Sequence, residues 1–101
     1  MTNYDPMLGK LINTIPLSET EPFEDKGKIH IFEEGIVFEE EDGATLQVFY
    51  RYINDLVFLE KALYDKYLCQ LIYKNYIGNE TVRNLYINVD DYNYIREKVK
   101  A

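Results

Sequence analysis

His30 and Cys69 are the side chains of this sequence best suited to catalysis or metal binding. The chain contains only one histidine and one cysteine. A catalytic triad or a histidine-based metal site would have to use His30. It lies between Ile29 and Ile31 in a strand pattern, with no Asp or Cys at ligand spacing, so we expect a histidine on the strand surface. Cys69 lies in an apolar run, which predicts a buried structural thiol rather than a nucleophile.

The acidic run at 39–42 is the other feature that could suggest chemistry. It lacks the alternating acids and the closing Glu of a calcium-binding hand, so we interpret it as a solvated hairpin tip. The sequence contains neither a phosphate-cradling glycine loop nor a nucleophile elbow. We therefore predict a protein that is not an enzyme, with no catalytic residues, no metal site and no cofactor.

The net charge of −7 is unevenly distributed along the chain. Residues 1–43 hold eleven acids and three bases, whereas residues 44–101 hold seven acids and eight bases. An acidic front half repels phosphate backbones and anionic lipid surfaces. This distribution predicts that nucleic acid is not a partner and argues against simple electrostatic docking to a membrane.

Length and composition predict one globular domain over residues 1–101. The chain is 47% hydrophobic and 29% charged, and ten Tyr and five Phe favour strands and an aromatic core. Pro6 interrupts residues 1–8, which we expect to be flexible. The single cysteine and the absence of a secretory pattern at the N-terminus predict a reducing, cytoplasmic setting.

Residues 27 to 89 have the pattern of short strands and tight turns, with side chains that alternate at the period of two that is typical of β-strands. Turn signals divide this stretch, and the dipeptides Asp42-Gly43 and Gly78-Asn79 are typical of hairpins. The pattern predicts strands at 28–32, 36–40, 45–52 and 81–89, and we expect a further strand before them, at 9–17.

The stretch 53–77 fits two interpretations. In the first, it forms two strands, at 56–59 and 67–73. In the second, it forms one long helix over 54–77 that stops at Gly78, and the fold would then be α+β. We favour the strands, because aromatic and β-branched residues dominate the second half and a hairpin turn follows directly.

The hydrophobic period changes after Val89. Tyr92, Ile95 and Val99 then fall on one stripe of a helix, and two acids directly after Val89 suit the positive end of its dipole. The sequence therefore predicts a C-terminal amphipathic helix whose apolar stripe covers the open side of the sheet.

This order of short strands followed by one helix resembles the pleckstrin-homology-like superfold. The likeness to its GRAM-type members is carried by three stretches, the hairpin 27–38, the connection Tyr50-Arg51-Tyr52-Ile53-Asn54-Asp55-Leu56, and Leu85-Tyr86-Ile87 followed by Asp90-Asp91. The resemblance covers residues 27–101. It implies a mainly β fold, a partly open barrel of about seven antiparallel strands capped by a C-terminal α-helix.

The first loop departs from the pattern of the members that bind phosphoinositides. Those members place Lys and Arg in and around this loop, which here holds Glu19, Glu21, Glu24 and Asp25. The superfold also serves as a protein-binding platform, so we predict a non-enzymatic binding module that recognises a protein partner. The alternatives are a lipid-binding GRAM- or PH-like domain at a membrane surface and an acidic inhibitor that mimics nucleic acid.

Three aromatic residues are the candidate partner-binding residues: Phe32, Phe49 and Tyr52. The strand alternation predicts that they lie on the face opposite core residues such as Ile31 and Val48. Exposed aromatic side chains mark partner sites. The alternative is that the N-terminal segment 1–17 covers them.

Overall fold

The computed structural model describes residues 4–21 and 25–100, so residues 22–24 of the acidic loop lie outside the description. Within these residues the elements are β1 Tyr4–Asp5, β2 Gly9–Pro16, β3 Gly27–Phe32, β4 Gly35–Glu40, β5 Thr45–Phe49, a short 3-10 helix Tyr50–Tyr52, β6 Ile53–Lys61, β7 Lys66–Lys74, β8 Glu80–Asn88 and α1 Val89–Lys100. More than half of the described residues lie in strands, which confirms the mainly β fold with a C-terminal helix. The alternative of one long helix over 54–77 is wrong, because β6 and β7 occupy that stretch.

The strands form two antiparallel sheets that follow chain order. β1 to β5 make the first sheet, β6 to β8 make the second, and a curled half-barrel results. The chain crosses from one sheet to the other at the 3-10 helix Tyr50–Tyr52. Because no later strand returns to the first sheet, β5 ends that sheet and β6 begins the next.

The main core lies between the two sheets and α1, and its buried side chains come from β2 to β8, the helix and the connections between them. The alternation of the sequence predicts these faces well. Ile29 and Ile31 of β3, Ile36 and Phe38 of β4, and Val48 of β5 are each 3% exposed or less. Hydrophobic burial on this scale is the main force that holds such a small domain together.

A smaller cluster occupies the outer face of the first sheet. Leu8 and Phe32 are fully buried there against Val37, and Leu11 and Phe49 pack at the margin. The N-terminal segment therefore covers Phe32, and the expected exposure of this residue is wrong. The turn at residues 6–8 also belongs to the packed structure, because it carries Leu8.

α1 covers the sheets through the stripe that its sequence predicts. Ile95 is 2% exposed, and Tyr92 and Val99 pack against the main core. The Asn13 amide donates to both carboxylate oxygens of Asp91 in the first turn of the helix, at 3.0 and 3.1 Å. Among the described residues, no helix is long and apolar enough to cross a membrane.

Candidate functional site

The three aromatic candidates lie in different surroundings. Phe32 is buried under Leu8, Phe49 is half-buried at the margin of the same cluster, and Tyr52 is 47% exposed. The rings of Phe49 and Tyr52 pack edge to face, with 6.2 Å between centroids and 80° between planes. The structure therefore brings two of the three candidates together and leaves Phe32 in the outer core.

The 3-10 helix after β5 creates this aromatic pair. Its first residue, Tyr50, points inward and its hydroxyl donates to the Phe32 carbonyl at 2.6 Å, while burial raises the pKa of Tyr50. Anchored in this way, the turn places Tyr52 beside Phe49. The Arg51 guanidinium carbon lies 4.5 Å from the Phe49 centroid and 5.0 Å from the Tyr52 centroid, which is cation–π geometry.

A groove of about 440 Å³ runs along the outer edge of β5, and we call it the β5 groove. It is lined by Leu46, Gln47, Val48 and Phe49 of β5, by Tyr52, and by Lys74, Asn75, Tyr76 and Gly78 at the end of β7 and in the turn after it. Consecutive side chains of a strand point to opposite faces of a sheet. A groove lined by four consecutive residues therefore follows the edge of the strand rather than either face.

The turn between β7 and β8 forms the far wall of the β5 groove. The Asn75 side-chain oxygen accepts hydrogen bonds from the N–H groups of Ile77 at 3.1 Å and Asn79 at 3.0 Å. Gly78 adopts a φ of +89°, in the left-handed region that favours glycine. Tyr76 is 96% exposed, so a hydrogen-bonded turn presents a large aromatic ring to solvent.

The β5 groove is locally positive, although the whole chain carries a net charge of −7. Its lining contains Lys74 and no carboxylate. Arg51 lies over the two aromatic rings of this lining, and it also lines a separate groove together with Glu33 and Glu34. Within the part of the chain that the structure describes, neither cation makes an ion pair. Glu80, opposite Lys74 on β8, instead accepts a hydrogen bond from Asn54 at 2.9 Å.

A second groove has the opposite character, and we call it the acidic groove. Its lining comes from the β2–β3 and β4–β5 connections and consists of Glu19, Thr20, Lys26, Glu40, Glu41 and Asp42. Arg83 of β8 stacks on the Phe38 ring at 4.5 Å and donates to the carboxylates of Glu19 at 2.9 Å and Glu40 at 2.6 Å. The guanidinium closest to this groove is therefore already engaged by carboxylates.

His30 is buried, with 3% exposure, and its predicted place on the strand surface is wrong. Its Nδ1 lies 3.0 Å from the Thr14 hydroxyl and its Nε2 lies 2.9 Å from a carboxylate oxygen of Glu39. The hydrogen bond to His30 lowers the pKa of Glu39. This hydroxyl–imidazole–carboxylate chain across β2, β3 and β4 satisfies both nitrogens of a buried ring. None of the three side chains lines the β5 groove.

The prediction for Cys69 is confirmed. The side chain is fully buried in the main core, and burial raises the pKa of its thiol to about 12, which keeps it protonated at neutral pH. The run at 39–42 ends in an exposed turn at the tip of the β4–β5 hairpin. Across residues 4–21 and 25–100, no group of three or more His, Cys, Asp and Glu side chains could hold a metal ion.

Sequence reasoning missed three residues at or beside the β5 groove: Arg51, Lys74 and Tyr76. The signal for Tyr76 was present, because an aromatic residue in a tight turn that ends at Gly78 has no core to enter. Arg51 and Lys74 had no such signal, because their proximity to the groove depends on how the two sheets pack. Comparisons with protein-family models, curated proteins and solved structures find no match to this chain.

Proposed function

We propose that the protein is a non-enzymatic binding module that recognises a protein partner through the β5 groove. The observation that carries the proposal is the convergence of Phe49, Tyr52 and Tyr76 on one groove with a hydrogen-bonded wall. Aromatic side chains dominate the energetics of many protein interfaces, because they bury a large area and lose little conformational entropy.

The order of elements supports the resemblance to the pleckstrin-homology-like superfold. Seven strands, β2 to β8, follow one another in two antiparallel meanders, and α1 packs on the core that they form. The two-residue strand β1 is an addition to that order. Since this fold serves several kinds of ligand, the choice between them depends on the surface and not on the strands.

The charge of the acidic groove argues against a lipid headgroup at the first loop. The loop where phosphoinositide-binding members carry bases contributes Glu19 to the acidic groove. Arg83, beside this groove, already donates to Glu19 and Glu40. A phosphate entering the acidic groove would have to displace these carboxylates and would meet further acids at positions 41 and 42.

A displayed library of random peptides, selected on the immobilised protein, supplies the probe for a test. The affinity of each selected peptide is then measured by fluorescence polarisation for the unmodified protein, for Tyr76→Ser and for Tyr64→Ser. We expect Tyr76→Ser to weaken binding at least tenfold, which corresponds to about 1.4 kcal/mol. Tyr64, 81% exposed on the β6–β7 turn, provides the same chemical change at the other end of β7, about 30 Å away.

The comparison of the two tyrosine variants decides the proposal. Peptides that bind Tyr76→Ser and Tyr64→Ser equally well would place recognition outside the β5 groove and overturn it. Phe49→Ser is also expected to weaken binding, but Phe49 packs on the outer cluster and the variant needs a stability control. Sedimentation with phosphoinositide-containing vesicles at physiological salt should leave the protein in the supernatant, and co-sedimentation would favour the membrane alternative.

A further inference from the structure

The proposed function leaves open how a partner enters the β5 groove, and the hydrogen-bonding state of the strand edges bears on this. β5 is the last strand of the first sheet, so one of its edges has no neighbouring strand. An unpaired edge presents a row of N–H and C=O groups that can pair with another chain. Peptide recognition by strand addition uses such an edge.

The backbone N–H and C=O groups of successive β5 residues point alternately toward β4 and away from it. The Tyr50 N–H donates to the Glu34 carbonyl, and the Ala44 carbonyl accepts from the Glu40 N–H. The backbone hydrogen-bonding groups of the even-numbered residues therefore face β4. In an antiparallel pair, the residues that alternate with these direct their N–H groups away from the neighbouring strand. The outward residues are Thr45, Gln47 and Phe49.

Side chains or neighbouring segments interrupt two other stretches of strand edge. On the far side of the first sheet, β1 pairs with β2 only at Gly9 and Lys10. Along the rest of β2, a register shift lies between residues 11 and 13, the Asn13 side chain accepts from the Thr14 N–H at 2.9 Å, and Pro16 offers no N–H. On β8, the Tyr86 N–H donates to the Ser18 carbonyl.

The edge of β6 is interrupted in its middle. The Leu56 carbonyl accepts from Arg96 at 2.9 Å, and the Leu56 N–H donates to the Asp55 carboxylate at 2.8 Å. Such devices are how proteins protect an edge from pairing. Within the described residues, no side chain or neighbouring segment bonds to the outward N–H groups of β5.

We propose that the partner is an extended, acidic peptide segment that adds to β5 as a further antiparallel strand. This inference rests on the function proposed above and specifies its mode and partner class. The added strand would lie between β5 and the β7–β8 turn, where Leu46 to Phe49 form one side of the groove and Tyr76 belongs to the other. Alternate apolar side chains of the segment would contact these aromatic rings.

The charges of the groove select an acidic segment as the occupant. Among the described residues, neither Lys74 nor Arg51 makes an ion pair, and the lining of the groove contains no carboxylate, so an Asp or Glu of the segment would gain Lys74 as a partner without displacing one. A second copy of this chain is disfavoured as the occupant. Edge-to-edge pairing of two copies of β5 would bring two positive grooves and two molecules of net charge −7 together.

Two substitutions at Gln47 separate strand addition from recognition by side chains alone. Gln47→Ala removes the exposed side chain and keeps the N–H, whereas Gln47→Pro removes the outward N–H without breaking a bond to β4. With the selected peptides as probe, we expect Gln47→Pro to bind at least tenfold more weakly than Gln47→Ala, which serves as the reference because both variants lack the Gln47 side chain. Far-UV circular dichroism and thermal unfolding check that both variants are folded.

Amide hydrogen exchange gives a second readout that does not depend on the proline variant. In the free protein the amides of residues 45, 47 and 49 should exchange faster than those of 46 and 48, and a bound peptide should protect them. Equal binding by Gln47→Pro and Gln47→Ala, or no added protection, would overturn strand addition. If Tyr76→Ser still weakened binding in that case, the groove would remain the site, and only the mode of entry would be wrong.

The acidic character of the partner has its own controls. Replacing Asp and Glu of a selected peptide by Asn and Gln should weaken binding at least fivefold, and Lys74→Glu should reduce the affinity for the acidic peptide further than for its neutral version. Selection of neutral or basic peptides would overturn the charge assignment. Sedimentation equilibrium should show a monomer, and a dimer that Gln47→Pro dissociates would identify a second copy as the occupant.

Discussion

Replacing Ile95 by Ala tests whether α1 is part of the core or only lies near it. Ile95 is 2% exposed in the middle of the helix, within the cluster that both sheets share. Its truncation removes three carbons and leaves a cavity that the surrounding strands cannot fill, because strands held in hydrogen-bonded sheets move little. Large-to-small changes at such sites destabilise proteins by about 2–4 kcal/mol.

The free energy of unfolding is measured by urea titration followed by far-UV circular dichroism, and the melting temperature by a thermal scan. A loss of about 3 kcal/mol would lower the melting temperature of a domain of this size by roughly 12–24 °C. Asn93→Ala is the matched control, because Asn93 lies on the exposed side of the same helix and Ala has the higher helix propensity. A loss for Ile95→Ala within about 0.5 kcal/mol would refute docking of the helix.

Two further predictions concern groups whose pKa the fold shifts. The hydrogen bond from Arg96 lowers the pKa of Asp55 in the folded state. This bond therefore stabilises the fold fully at pH values above the ordinary pKa of a carboxyl group, and its contribution to stability is lost as the pH falls through the lowered pKa of Asp55. The stability difference between the unmodified protein and Arg96→Gln should therefore narrow below about pH 4, and a pH-independent difference would contradict this account. Cys69 should react with a thiol reagent at neutral pH only as fast as the protein opens, and labelling that is insensitive to denaturant would show that the thiol is accessible.

Local pattern was sufficient for most of the fold. Alternation placed Ile29 and Ile31 in the core, and the change of period after Val89 located the helix. The choice between strands and a helix at 53–77 followed from β-branched and aromatic residues in its second half, since these pack well on a pleated surface. Each of these inferences uses neighbours within about ten residues along the chain.

What sequence could not predict depends on contacts between distant segments. The alternation along the strand places Phe32 on the outer face of the sheet, but Leu8 packs over this face and buries Phe32. His30 is buried on that face as well, with partners from two neighbouring strands. For the β5 groove, Phe49 lies 27 positions before Tyr76 in the chain, and only the packing of the two sheets places both on one groove.

The unpaired edge of β5 also affects how the protein behaves in concentrated solution. A bare strand edge can nucleate intermolecular β-sheet, and the only opposing influence at long range is the mutual repulsion of molecules that each carry −7 charges. That repulsion decays over about 8 Å at physiological ionic strength and over about 3 Å in molar salt. High salt, or a pH near the isoelectric point of about 4.6 where the net charge vanishes, therefore removes the barrier that keeps one β5 edge from another, and the proposed partner site becomes the starting point of aggregation.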